Sequence, residues 1–245
     1  MSQIRVGIIY GQGINADVEL GWAFELCGIQ IKRFHVLEIL HNPNMLNEVQ
    51  ILAFPGGFSF GDYLGSGRVL GLELQELQGR FEAFIQNGLI LGICNGFQVL
   101  VKMGLLPRVE NQPKVEASLD VNQGGFFIDR WVRVEFNPDS VCVWTQGLRQ
   151  TILPIRHGEG KFTTSSLILE KLHHNRQIAL RYAPGENPNG SLENIAGVCD
   201  PTGRVLGLMP HPEAFLELTN SPLRRRNPEL EMGLAIFKNA VNFLK

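Results

Sequence analysis

The chain has 245 residues, 44% hydrophobic and 19% charged, a globular balance that excludes a disordered chain. Lys and Arg number 22 and Asp and Glu 24, a net charge of -2, which argues against a protein that works on nucleic acid or on an anionic membrane surface. No apolar stretch approaches the roughly 18 residues of a membrane-spanning helix, and Met1 to Arg5 carry no signal-peptide core.

Ile4–Tyr10 is a short apolar run closed by Gly11, the pattern of a buried parallel strand. Asn15 to Leu26 follow with helical spacing at Val18, Trp22, Ala23 and Leu26, and Gly28 ends the pattern. Gln30–Val36 and Gln50–Phe54 read as the next strands, the second broken at once by Pro55-Gly56-Gly57. Glu73 to Gln86 reads as a helix, Leu89–Ile93 as a fourth strand, and Asn95 to Met103 as the helix behind it. Such alternation predicts an α/β fold, a mostly parallel central sheet flanked by helices, with ligands at the carboxyl ends of its strands. From about Gln112 the texture turns β-rich: Trp131–Phe136, Ile152–Arg156, Gln177–Tyr182, Ile195–Cys199 and Val205–Met209 read as strands without clear helices between them. Glu229 to Leu244 closes the chain as an amphipathic helix. No linker or repeat divides the chain, so a single domain over 1–245 is expected.

Cys27, Cys94, Cys142 and Cys199 are too sparse for a stapled secreted scaffold and lack zinc spacing, so reduced thiols, no metal site and a cytosolic compartment are expected. Cys94 stands apart. Gly92-Ile93-Cys94-Asn95-Gly96 places a nucleophile between two glycines where a strand turns into a helix, the spacing of a nucleophile elbow with sulfur for oxygen. The glycines give the sharp turn room, and the helix N-terminus favours a thiolate. The Asn95 N–H is placed to bind an oxyanion, and so is a backbone N–H of Pro55-Gly56-Gly57, best Gly57. There is no phosphate loop: no Lys lies between Ile51 and Val101, so no ATP site of the chain's own is expected.

A thiol nucleophile wants a His oriented by an acceptor. Two pairs offer this: His157-Gly158-Glu159 and His211-Pro212-Glu213. Pro210 and Pro212 hold the second extended, so that residues i and i+2 share a side. The residues lean toward His211 with Glu213 but leave both pairs open. His35, His41, His173 and His174 read as surface or loop residues.

Gly92-Ile93-Cys94-Asn95-Gly96-Phe97-Gln98 resembles the nucleophile motif of class I glutamine amidotransferases. Pro55-Gly56-Gly57-Phe58-Ser59-Phe60-Gly61-Asp62-Tyr63, His157-Gly158-Glu159-Gly160, Asn187-Pro188-Asn189-Gly190-Ser191 and Met209-Pro210-His211-Pro212-Glu213 narrow the likeness to the glutaminases of phosphoribosylformylglycinamidine synthases. The resemblance implies that Cys94 forms a glutamyl thioester from L-glutamine, with His211 as acid and base and Glu213 orienting it. It puts Gly57 and Asn95 in the oxyanion hole and assigns Gln98 to glutamine binding; His157-Gly158-Glu159-Gly160 is expected to shape the glutamine pocket or the partner-facing rim. It also implies that ammonia passes to a separate synthetase subunit that holds ATP and Mg, joined in many bacteria by a small third subunit. With its own Met1, the chain looks like the free-standing glutaminase rather than the tail of a fused form. Three departures stand out: Leu64-Gly65-Ser66-Gly67-Arg68 displaces an Arg, Ala214 replaces the Arg that usually follows Glu213, and Phe126-Phe127 replaces Arg-Phe, which bears on docking to the synthetase. The basic run at Ser221–Pro228 reads as a solvated loop.

Overall fold

The computed structural model describes residues 4–222, 224 and 231–245. In its first half, strands and helices alternate as β1 (Arg5–Tyr10), α1 (Asp17–Glu25), β2 (Gln30–His35), α2 (Val36–His41), β3 (Ile51–Phe54), α3 (Arg68–Leu74), α4 (Gln78–Ile85), β4 (Leu89–Ile93) and α5 (Asn95–Lys102). The second half runs β5 (Ala117–Val121), β6 (Ile128–Phe136), β7 (Gln150–His157), β8 (Glu159–Thr164), α6 (Ser166–His174), β9 (Ile178–Tyr182), β10 (Ile195–Cys199), β11 (Val205–Leu208) and α7 (Leu234–Phe243).

Nine strands form one sheet in the order β2-β1-β3-β4-β11-β10-β9-β6-β7. β2, β1, β3, β4 and β11 are parallel, and the pairs from β11 to β7 are antiparallel. β3, β4, β10 and β11 are buried along their whole length, which is why they read as unbroken apolar runs. β5 and β8 form a separate two-stranded sheet. β11 adds to β4 in parallel, with Leu208 beside Ile93. Residues 94 and 211, more than a hundred apart in sequence, therefore leave neighbouring strand ends.

Several expectations are corrected. The buried face of α1 is Asp17, Leu20, Gly21, Ala23 and Phe24, while Val18 and Trp22 are more than half exposed. Phe24 meets Phe237 of α7 edge-on at 5.1 Å, and this contact selects the face. The helix expected over 73–86 begins at Arg68 and breaks into α3, a 3-10 turn and α4. Gln75 and Gln78 donate from the break to the carbonyls of Lys102 and Met103, docking the bend on the end of α5. Helices do interrupt the second half: α6 is capped by the Ser165 side chain, which accepts from the Ile168 N–H. Leu172 is its one fully buried residue, so its apolar periodicity is faint. Val36 leaves β2 to start α2, where the His35 ring accepts from the Leu37 N–H and Glu38 accepts from the His35 N–H. A histidine thus serves as a helix cap. Of the segment Ser221–Pro228, Leu223 and 225–228 lie outside the described residues, as do 229–230 of the expected last helix; Arg224 is exposed.

Candidate active site

Cys94 follows β4 and caps α5 with φ 51° and ψ -104°, a strained conformation for a residue with a side chain. The neighbouring glycines make the turn possible. A Cβ on Gly96 would stand 2.0 Å from the Phe54 carbonyl oxygen, and one on Gly92 would stand 2.7 Å from the Gly96 oxygen. The Cys94 N–H donates to the Leu208 carbonyl at 2.8 Å, fastening the elbow to β11. The thiol donates to the Arg156 carbonyl at 3.6 Å, so the end of β7 lies over the sulfur.

β11 delivers the second group. His211 and Glu213 are both 3% exposed, and His211 Nδ1 meets Glu213 Oε1 at 2.6 Å. The His211 N–H donates to the Pro154 carbonyl at 2.8 Å, which fixes the backbone beneath the ring. Nε2 is buried and makes no hydrogen bond. The ring lies beside Cys94: a Cβ on Gly56 would touch both, at 2.8 Å from His211 Cε1 and 3.6 Å from Cys94 Cβ. Burial disfavours the imidazolium, but Glu213 and the Cys94 sulfur outweigh it and push His211 up to about 10.

The second His-x-Glu pair is built differently. His157 is 2% exposed, and its Nδ1 meets Asn122 Oδ1 at 3.0 Å rather than Glu159. Because an amide oxygen only accepts, Nδ1 carries the proton and Nε2 is left as a buried, unpartnered acceptor. Burial, with the charge of nearby His211, lowers His157 to about 4. Asn122 also donates to the His157 carbonyl and accepts from the Gly160 N–H, clamping the segment at three points. Glu159 turns away: its carboxylate accepts from the Ser66 N–H at 3.1 Å and its carbonyl from Gln98 Nε2. Gln98 thus holds the turn that follows the strand over the Cys94 sulfur, and His157 ends that strand.

Gly57, with φ +144°, sits in a tight crossing, where a Cβ would lie 2.7 Å from the Gly13 oxygen. An isolated bridge joins Ile14 to Gly57 through Phe58 N–H to Gly13 O (2.7 Å) and Asn15 N–H to Gly56 O (3.3 Å). This pattern leaves the N–H of Gly57 itself out of the pairing. The Asn95 N–H, in the first turn of α5, likewise has no intrahelical acceptor. The Asn95 side chain accepts from Ser59 N–H at 3.2 Å and donates to Gln98 Oε1 at 3.0 Å and Asp62 Oδ1 at 3.3 Å. Burial, reinforced by the Glu159 carboxylate, pushes Asp62 up against hydrogen bonds from Ser66 and Asn95.

The structure therefore brings together Cys94, His211, Glu213, Gly57, Asn95 and Gln98, with His157 as the last residue of the covering strand β7. Sequence reasoning missed Asn122 as the partner of His157 and the Arg156 carbonyl over the thiol. Neither leaves a short-range signal, since 35 residues separate Asn122 from His157 and 62 separate Cys94 from Arg156. Among the described residues, no group of three or more His, Cys, Asp or Glu is placed to hold a metal.

Residues 3–244 match the family model of the CobB/CobQ-like glutamine amidotransferase domain. The chain is 42% identical to phosphoribosylformylglycinamidine synthase subunit PurQ of Dehalococcoides mccartyi, over 100% of this chain and 99% of that one. It is 36% identical to PurQ of Treponema denticola, with 98% of each chain covered. Among solved structures, a chain of PurLQS from Thermotoga maritima superposes with a TM-score of 0.79 at 30% identity, covering 99% of this chain and 100% of that one. A Thermotoga maritima glutamine amidotransferase shares the fold, with a TM-score of 0.60 at 16% identity over 100% and 99% of the two chains.

Proposed function

This chain belongs to the CobB/CobQ-like glutamine amidotransferases and, within them, to the PurQ subunits of phosphoribosylformylglycinamidine synthase; from that membership and the geometry of its site, we propose that it releases ammonia from L-glutamine through a Cys94 thioester. One observation carries the assignment of roles. His211 is held by Glu213 through Nδ1 while its free Nε2 lies beside a sulfur on a strained elbow.

The Cys94 sulfur attacks the side-chain carbonyl carbon of glutamine, and the oxygen that gains charge is received by the N–H groups of Gly57 and Asn95. His211 gives a proton to the leaving nitrogen, so ammonia departs and the thioester remains. The imidazole then takes a proton from water, whose oxygen attacks the thioester, and glutamate leaves with the thiol restored. Glu213 keeps the proton on Nδ1 and stabilises the imidazolium in between. Gln98, locked by Asn95 and the Glu159 carbonyl, and His157, locked by Asn122, shape the glutamine pocket.

The ammonia goes to a synthetase subunit that makes formylglycinamidine ribonucleotide in purine biosynthesis. The solved relative comes from such an assembly, PurLQS. ATP and Mg act on that subunit, this chain needs no cofactor of its own, and a small third subunit completes the complex. Exposed Phe58 and Phe127, with ring centroids 6.2 Å apart, rim the loops that carry the site, where Phe126-Phe127 departs from the family pattern. One amidotransferase domain over 1–245 carries the activity. The complex works in the cytoplasm, and among the described residues no helix is long and apolar enough to cross a membrane.

The test measures ammonia release from glutamine by the chain alone and with its synthetase, alongside labelling by a glutamine-mimicking electrophile. Turnover raised by the synthetase and a single label on Cys94 are expected. Label on Cys27, Cys142 or Cys199 first, or full turnover unchanged by any partner, contradicts the reading.

A further inference from the structure

The loop after β3 also borders a cavity of about 130 Å³ that the glutamine chemistry does not use. Its walls come from the loop after β1, the start of α2, the turn at Ser59 and α3. A water needs roughly 10–15 Å³ of such volume, so the space admits a small ligand rather than a single solvent molecule.

Two features give it a chemical preference. Ser59, 3% exposed, has a buried hydroxyl without a hydrogen-bond partner, and buried Oε2 of Glu73 is also unpartnered. Orphaned buried oxygens are uncommon, and each costs free energy until a donor reaches it. Val36, Leu37 and Leu70 make much of the remaining wall, with half-exposed Leu37 at the surface. Gln12, His35 and Phe60 complete the wall, and in it a carboxylate and a hydroxyl beside aliphatic side chains suit a cationic N–H donor on an alkyl stem. A divalent metal would seek a shell of about six oxygens, and an anion would meet the Glu73 carboxylate.

We propose that this cavity is a binding site for an alkylammonium or alkylguanidinium group, received by the Glu73 carboxylate and the Ser59 hydroxyl. The group is a free amine or the side chain of a Lys or Arg on the synthetase. A bound cation would join the loop after β1 to the turn at Ser59, whose N–H is already fastened to Asn95.

The test reads binding, so its outcome is separate from whether the chain hydrolyses glutamine. n-Propylammonium and n-propylguanidinium chlorides are titrated into the full chain at constant ionic strength, with sodium propionate as the anionic control. Heat and the amide resonances of Gln12, Ser59 and Phe60 are followed. Saturable binding of a cation is expected, weakened tenfold or more in Glu73→Gln, a change that keeps size and polarity and whose folding the same spectra verify. Ser59→Ala should weaken it less. Added synthetase that displaces the cation and shifts the same resonances supports a side chain of the partner as the ligand; cation binding that persists beside the synthetase supports a free amine. No saturable binding, equal binding to wild type and Glu73→Gln, or a preference for propionate overturns the proposal.

Discussion

The backbone N–H of Ser59 donates to the side-chain oxygen of Asn95 across 3.2 Å, which ties the glycine-rich loop after β3 to the residue next to Cys94. Under the proposed roles, the Gly57 and Asn95 amides that receive the oxyanion take their relative position from this bond. Asn95→Ala keeps both amides but cuts the tie. Steady-state kinetics should show kcat falling about 10²-fold, the scale of a 1 Å misplacement, with Cys94 still labelled by a small alkylating agent. An unchanged kcat would show that the tie does not position the amides.

His211 and His157 are separated by what holds them. Losing a triad member costs on the order of 10⁴-fold in turnover. His211→Ala should therefore abolish the burst of Cys94 acylation in the presence of the synthetase, and Glu213→Ala should reduce it by a smaller factor. His157→Ala should keep a measurable burst with weakened glutamine binding. A burst lost in His157→Ala and kept in His211→Ala would reverse the assignment of the base.

The two histidines should also titrate in opposite directions. His211, raised to about 10 with Glu213 as the chief raising influence, should give imidazolium resonances up to that pH, and Glu213→Gln should bring its titration down. Its folded value lies above its unfolded one, so its stabilising effect is complete below about 6.5 and is lost as pH rises through 10. His157, lowered to about 4, behaves in the reverse sense: its contribution is present above about 6.5 and is lost as pH falls through 4. That loss is about 3 kcal/mol. His157→Gln should flatten the fall in urea-unfolding free energy between pH 7 and 4. An unaltered slope would show that the buried ring is not its source.

Gly96 has no room to grow. Its Cβ would lie 2.0 Å from the Phe54 carbonyl oxygen, a backbone atom that cannot swing aside. Gly96→Ala should cost at least about 1–3 kcal/mol and move the elbow away from β3. Gly79, with open space around its Cβ position in α4, is the control: Gly79→Ala should be neutral or stabilising by up to about 1 kcal/mol. Thermal melts of the pair decide it.

Local pattern alone determined the parallel half of the sheet and the elbow. β3 and β4 are covered on both faces, so they had to be continuous apolar runs, and a turn as tight as that at Cys94 had to carry Gly92 and Gly96. The His211-Pro212-Glu213 pair was legible, but not its backbone: Pro212–Ala214 form a 3-10 turn with Pro212 in its first position, rather than the extended segment expected, and that turn brings Glu213 Oε1 within 2.6 Å of His211 Nδ1. Tertiary structure decided the rest. The buried face of α1 was chosen by Phe237 on a helix more than two hundred residues away, and α6 needed only Leu172 inside. Whether Glu159 or Asn122 would hold His157, and that the Arg156 carbonyl would cover the thiol, depended on where β7 and the β5–β8 pair came to rest. Hydrogen-bond partners 35 and 62 residues apart leave no periodicity in a sequence, because sheet pairing and packing bring them together rather than local backbone preference.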